Sequence, residues 1–228
     1  MNFHLLQLGD SALPIGGYSH SWGLEAAIEQ GAVRDALSLE RWVRLWLQNA
    51  VGPLEGVVVA SVCRAVSKNE WHTAARANEI LWASLTPPTL RHASRDMGEQ
   101  LLSLAEGWPW AASVIHSLRR LTTEESYLSE WHHSVVFGAL AAATPCSPGE
   151  AAGVYLHQAT LGLIGAGVRG IPIGHSHGQQ VLARLQATLQ SLSEALADRE
   201  LETAGSTCPA YEVLCHAQSQ LYTRLFRS

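Results

Sequence analysis

The chain has a single lysine, Lys68, among 228 residues; its other basic residues are arginines, and its net charge is −5. No run of like charges occurs, which excludes the basic footprint of a nucleic-acid or anionic-membrane binder. The four cysteines, Cys63, Cys146, Cys208 and Cys215, form no C-x-x-C pair. Scattered in this way, they suit reduced thiols in a cytosolic protein better than a disulfide frame. The N-terminus, MNFHLLQLGD, has no basic region and only a brief apolar run, so it does not read as a secretory signal. The longest charge-poor stretch, Ala151 to Val168, carries His157, Gln158, Thr160 and several glycines, and reads as a buried helix rather than a membrane span. No window alternates polar and apolar residues with β-branched enrichment, so no strand is expected.

What the chain does have is helical periodicity. Leu39, Trp42, Val43, Trp46 and Ala50 recur at three- and four-residue steps, with Ser38 placed to cap and Glu40 in the first turn. A second helix follows Gly52-Pro53 and turns Val57, Val58, Ser61, Val62 and Ala65 inward. Trp71 to Ser84 predicts a third, stopped by Pro87-Pro88, and Leu90 to Ala105 a fourth, ended by Gly107 and Pro109. Further helices are predicted over His132 to Ala143, Gly149 to Val168 and Pro172 to Leu196, with proline at the first helical position of the last. The predicted architecture is all-α: a single bundle-like domain of about eight to ten helices over residues 1–196. Residues 197–209, ADRELETAGSTCP, read as a linker. Residues 210–228 place Tyr211, Leu214, Cys215, Gln218, Leu221, Tyr222 and Leu225 at helical spacing and read as a C-terminal docking segment.

Three stretches invite a chemical reading. Asp10 to Glu25, DSALPIGGYSHSWGLE, resembles an active-site loop, but it lacks the final glycine of a G-x-S-x-G elbow and no strand leads into it. It reads better as a helix entrance: Pro14 to Gly17 turn the chain, Ser19 or Ser21 caps, and Glu25 sits near the positive helix end. Gly165-Ala-Gly167-Val-Arg-Gly170 matches G-x-G-x-x-G but ends a helix and lacks the strand that aims a phosphate loop. His132-His133 and His175-Ser-His177 are weak metal candidates with no nameable third ligand. A metal-dependent hydrolase built on His175 and His177 is the competing enzyme reading.

LLQLGDSALPIGGYSHSWGLE at Leu5 to Glu25, RDMGEQLLSLA at Arg95 to Ala105, GVRGIPIGHSHGQQVL at Gly167 to Leu182 and the terminal LYTRLFRS together resemble the UreF family of urease accessory proteins over nearly the whole chain. The resemblance implies an all-helical, cytoplasmic scaffold that is not an enzyme and has no cofactor of its own. In such a scaffold a homodimer binds UreD (also called UreH) and recruits the GTPase UreG toward the urease apoprotein, the partner complex handling nickel and GTP. Carried over by motif, the partner-binding residues are Tyr18, Ser19, Ser21 and Glu25, then Arg169, Pro172, Gly174 and Gln179. Tyr222, Arg224, Leu225 and Phe226 form the UreD anchor. Gly162, Gly165 and Ala166 are expected to pack helices in the dimer, with Gly162→Leu overpacking that site where that face is buried. Where the family commonly has Gly-Gln-Thr-Asp-Gly, this chain has Gly174-His-Ser-His-Gly178, and position 20, often aromatic, is His. An alternative within the same assembly makes Arg169 a modulator of the GTPase, lending charge to phosphoryl transfer. Its simpler role is to cap the preceding helix, where the dipole favours a cation.

Overall fold

The computed structural model describes residues 1–124 and 130–227; residues 125–129 of the predicted helical domain, and Ser228 of the terminal motif, lie outside the described residues. The described residues are helical without a strand. The helices are α1 (Phe3–Leu8), α2 (Leu24–Glu29), α3 (Ala36–Trp46), α4 (Val57–Val66), α5 (His72–Ser84), α6 (Pro88–Ala105), α7 (Ala112–Glu124), α8 (His133–Ala142), α9 (Pro148–Gly170), α10 (His175–Leu196) and α11 (Pro209–Gln218). At the centre lies α8, whose residues from His133 to Ala141 are all buried. Such a helix, apolar on every side, needs neighbours all round; α4, α6 and α9 supply them. The outer layer pairs α9 with α10, and α10 with α3.

Several predicted boundaries move, each for a local reason. Ser38 is not the N-cap of α3. Asp35 caps by accepting from Ser38 N at 2.8 Å, and the Ser38 hydroxyl accepts from Asp35 N at 3.1 Å, a reciprocal capping box. Helix α9 begins at Pro148 with a second box between Ser147 and Glu150. Pro172 does not open α10: the chain is extended at Ile171, and the helix starts three residues beyond the proline, after Gly174. Helix α7 is not among the predicted helices, although Val114, Ile115 and Leu118 are its buried stripe.

The largest difference is at Pro53. Instead of separating two helices, it lies inside one continuous helix from Ala36 to Val66. Leu47–Gly56 widens to π geometry, which relieves the clash a proline ring makes with the preceding turn. This helix is long and apolar enough to cross a membrane, yet 78% of its most apolar window is buried within the protein; it is a core helix.

Pro53 also explains residues 197–209. A proline donates no hydrogen bond to the turn before it, and the Asn49 carbonyl in that turn accepts from Thr207 N at 2.8 Å, while Pro53 O accepts from Gly205 N at 3.0 Å. Arg64 donates to Ala197 O at 2.6 Å and to Arg199 O at 2.8 Å, and Leu201 is buried. The stretch whose composition predicts a linker is therefore laid along the core. Backbone carbonyls need partners, and this segment supplies donors to two carbonyls of the π segment.

The π segment also brings Glu55 inward, where Tyr155 Oη donates to its carboxylate at 3.0 Å. Burial pushes the Glu55 carboxyl up from 4.5 to about 7, against the opposing pull of the Tyr155 hydrogen bond. Its folded-state value lies above the unfolded one, so protonation stabilises the fold fully below about pH 4.5, and this is lost as pH rises through 7. Glu55→Gln should therefore gain stability relative to the parent chain between pH 5 and pH 8, by up to about 3 kcal/mol. Paired thermal melts at the two pH values check this; a constant difference would contradict it.

Candidate partner-binding surface

Two glycines shape the N-terminal loop. Gly16 (φ 85°) opens a 3₁₀ turn over Gly17–Ser19, and Gly23 (φ 78°) precedes α2. A Cβ at Gly23 would lie 2.8 Å from Cys215 Sγ in α11, so this position needs glycine both for its backbone and for the close approach of the C-terminal helix. Neither Ser19 nor Ser21 caps α2; Gly23 occupies the cap position and contributes no side-chain bond. Ser19 Oγ donates to Gly16 O at 2.8 Å, and Ser21 Oγ donates to Gln218 Oε1 at 3.0 Å.

Gln218, 1% exposed, is the hinge pin of the arrangement. Its Oε1 also accepts from Gly23 N at 3.0 Å, and its Nε2 donates to Glu25 Oε2 at 3.4 Å. Glu25, near the start of α2, then holds the chain end: its Oε1 accepts from Leu225 N at 2.6 Å and its Oε2 from Phe226 N at 3.3 Å. Arg227 N donates to Ser19 O at 2.8 Å. Arg169, in the last turn of α9, donates from Nε to Gly165 O at 3.1 Å and from a terminal nitrogen to Tyr18 O at 2.8 Å. Its guanidinium lies 3.6 Å from the centre of the Tyr18 ring and 4.6 Å from that of Phe226, a cation held between two π faces. His20 is buried beneath, and burial, followed by the nearby Arg227 charge, brings its pKa down to about 4, so it is neutral at physiological pH.

The result is a clasp. Loop, α2, the end of α9 and the C-terminus meet at one place, with Tyr18, Tyr222 and Leu225 exposed on it. Comparison with known proteins places the chain as a whole. The profile of the UreF family matches residues 33–186. The chain belongs to the UreF family. A urease accessory protein UreF from Nostoc sp. is 33% identical over 236 residues, covering 99% of this chain and 95% of the relative. The namesakes from Corynebacterium efficiens and Bacillus sp. are each 29% identical over 224 residues, covering 98% of this chain and 95% and 97% of the relatives. These relatives are named as accessory proteins to an enzyme.

Within this UreF fold the residues expected at partner contacts separate into three groups. Tyr18, Tyr222, Arg224 and Leu225 are exposed on the clasp. Ser21 and Phe226 are buried by it, and Ser19, Glu25 and Arg169 are partly buried, their polar groups occupied by the protein's own backbone and side chains. Pro172, Gly174 and Gln179 are exposed around the start of α10, together with His175 and His177. Those histidines lie on the first helical turn rather than in a loop, and among the described residues no group of three His, Cys, Asp or Glu side chains is placed to hold a metal. His132 and His133 are buried on and before α8, with pKa values brought down by burial to about 3 and 4. Gln218 was legible only as one member of an apolar stripe; the signal that marks it is an amide within that stripe, since a buried amide requires partners.

Proposed function

We propose that this UreF-family chain is a non-catalytic scaffold of urease maturation. As a cytoplasmic homodimer it binds UreD (UreH) and recruits the nickel-carrying GTPase UreG to the urease apoprotein. The observation that carries the reading is the clasp. Tyr222 and Leu225 remain exposed on a chain end whose backbone is held by Glu25, beside the Tyr18–Arg169–Phe226 stack. Exposed aromatic and apolar side chains on a fixed backbone form an interface at low ordering cost. Pro172, Gly174 and Gln179, exposed just after Arg169 in the chain, are taken as part of the same partner surface.

Arg169 spends its donors on the Gly165 and Tyr18 carbonyls and its faces on two rings. That supports a positioning role over the lending of charge to a partner's phosphoryl transfer. Co-expression with the cognate UreD and UreG, followed by size-exclusion chromatography, should give one complex containing all three proteins. Arg169→Ala should lower its yield while leaving the GTP hydrolysis rate per bound UreG unchanged. UreD eluting apart from the native chain would overturn the scaffold reading, and a fall in hydrolysis within intact complex would favour the charge-lending alternative.

A further inference from the structure

Beneath the clasp, between the N-terminal loop, the π segment and α9, lies a cavity of about 220 Å³. It stays open because two positions in its wall are glycine: a Cβ added at Gly162 or Gly165 would meet no atom within 4 Å. Within this chain these glycines therefore face open space rather than another helix. Trp22, Trp46 and Tyr155 contribute to the wall, and apolar surface predominates.

Into this aromatic enclosure the π segment places one carboxyl group, Glu55. The Tyr155 hydroxyl donates to it, and among the described residues no arginine, lysine or histidine forms an ion pair with it. His133, also in the wall, is held neutral by burial. Arg169 borders the same cavity but is held on Tyr18 and Gly165. A buried carboxylate without a cation is costly, and a ligand supplying the missing charge recovers that cost. Tryptophan and tyrosine faces attract the same charge. We propose that this cavity binds a small organic cation, a compact ammonium or amidinium on an apolar body. Its N–H groups donate to Glu55 and its body lies against Trp22, Trp46 and Tyr155. An inorganic cation is a poorer fit, since no second and third ligating side chain joins Glu55 among the described residues.

Benzamidinium is a suitable probe, with benzoate as its counterpart of similar shape and opposite charge. Calorimetric titration of the full-length chain should show saturable binding of benzamidinium at one site per chain, with benzoate at least roughly tenfold weaker. Gly162→Leu should fill the cavity and abolish the binding, and Glu55→Gln, which keeps the shape and removes the charge, should weaken it at least roughly tenfold. If Gly162→Leu does not fold, the Glu55→Gln comparison decides. Absence of saturable benzamidinium binding, equal binding of benzoate, or undiminished binding to folded Gly162→Leu or to Glu55→Gln would each overturn the proposal.

Discussion

Gly98→Ala is expected to lower the melting temperature by about 10 °C or to prevent soluble expression, corresponding to about 4 kcal/mol lost from a chain of this size. The position lies in α6 and faces the backbone entering α8. A Cβ there would stand 2.8 Å from the His132 carbonyl carbon and 2.9 Å from His133 N, and closer still to Trp131 O. These are backbone atoms that no side-chain rotation can move aside. Nor is the segment free to retreat. Trp131 N donates to Glu99 Oε1 at 2.9 Å, Trp131 Nε1 to Thr122 Oγ1 at 2.8 Å, and His132 N to Asn78 Oδ1 at 2.9 Å. His132 Nδ1 is also 3.1 Å from Ser94 Oγ. Moving α6 away would break the bonds at Glu99 and Ser94, and moving the facing segment would break those at Thr122 and Asn78, and buried groups are costly to leave unpaired. Gly162→Ala is the matched control: also within a helix, but facing the cavity, it should be neutral or stabilising by about 0.5–1 kcal/mol. A Gly98→Ala protein that melts within about 2 °C of the parent would show that this junction yields more readily than its bonding implies.

Removal of residues 221–228 is expected to abolish co-purification with UreD. The deletion takes away the exposed Tyr222 and Leu225, large apolar side chains that the chain end offers outward, and with them Arg224. It also removes Phe226, which is buried, and the two backbone amides that Glu25 holds. The free protein should consequently melt several degrees lower, since burying a phenylalanine is worth about 2–3 kcal/mol. Its helical circular dichroism should barely change, because α11 ends at Gln218, upstream of the cut, and Gln218 keeps its bonds to Ser21 and Gly23. Arg224→Ala and Leu225→Ala separate the two effects. Both residues are exposed, so capture of UreD should weaken while the melting temperature stays within about 1–2 °C. A folded truncated chain that still captures UreD would place the anchor elsewhere. Point variants that lose stability along with binding would return the tail to a purely structural role.

The sequence alone determined the helical class, the approximate span of most helices and the family, because apolar periodicity, glycine–proline punctuation and contiguous motifs are local. It also located the stretches that meet at the clasp, through the loop at Leu5 to Glu25, the turn at Gly167 to Leu182 and the terminal LYTRLFRS. What those residues do to one another was not local. Composition makes residues 197–209 a linker, and only the fold brings Thr207 N to a carbonyl in the turn disturbed by Pro53. Pro53 itself reads as a helix breaker, and only packing of the surrounding core stabilises the π turn that keeps the helix continuous. Ser21 reads as a cap until Gln218, 197 positions away, becomes its partner. In each case the deciding energy is a hydrogen bond or a contact between residues far apart in the chain, and a pattern of neighbours carries no information about which distant group will arrive.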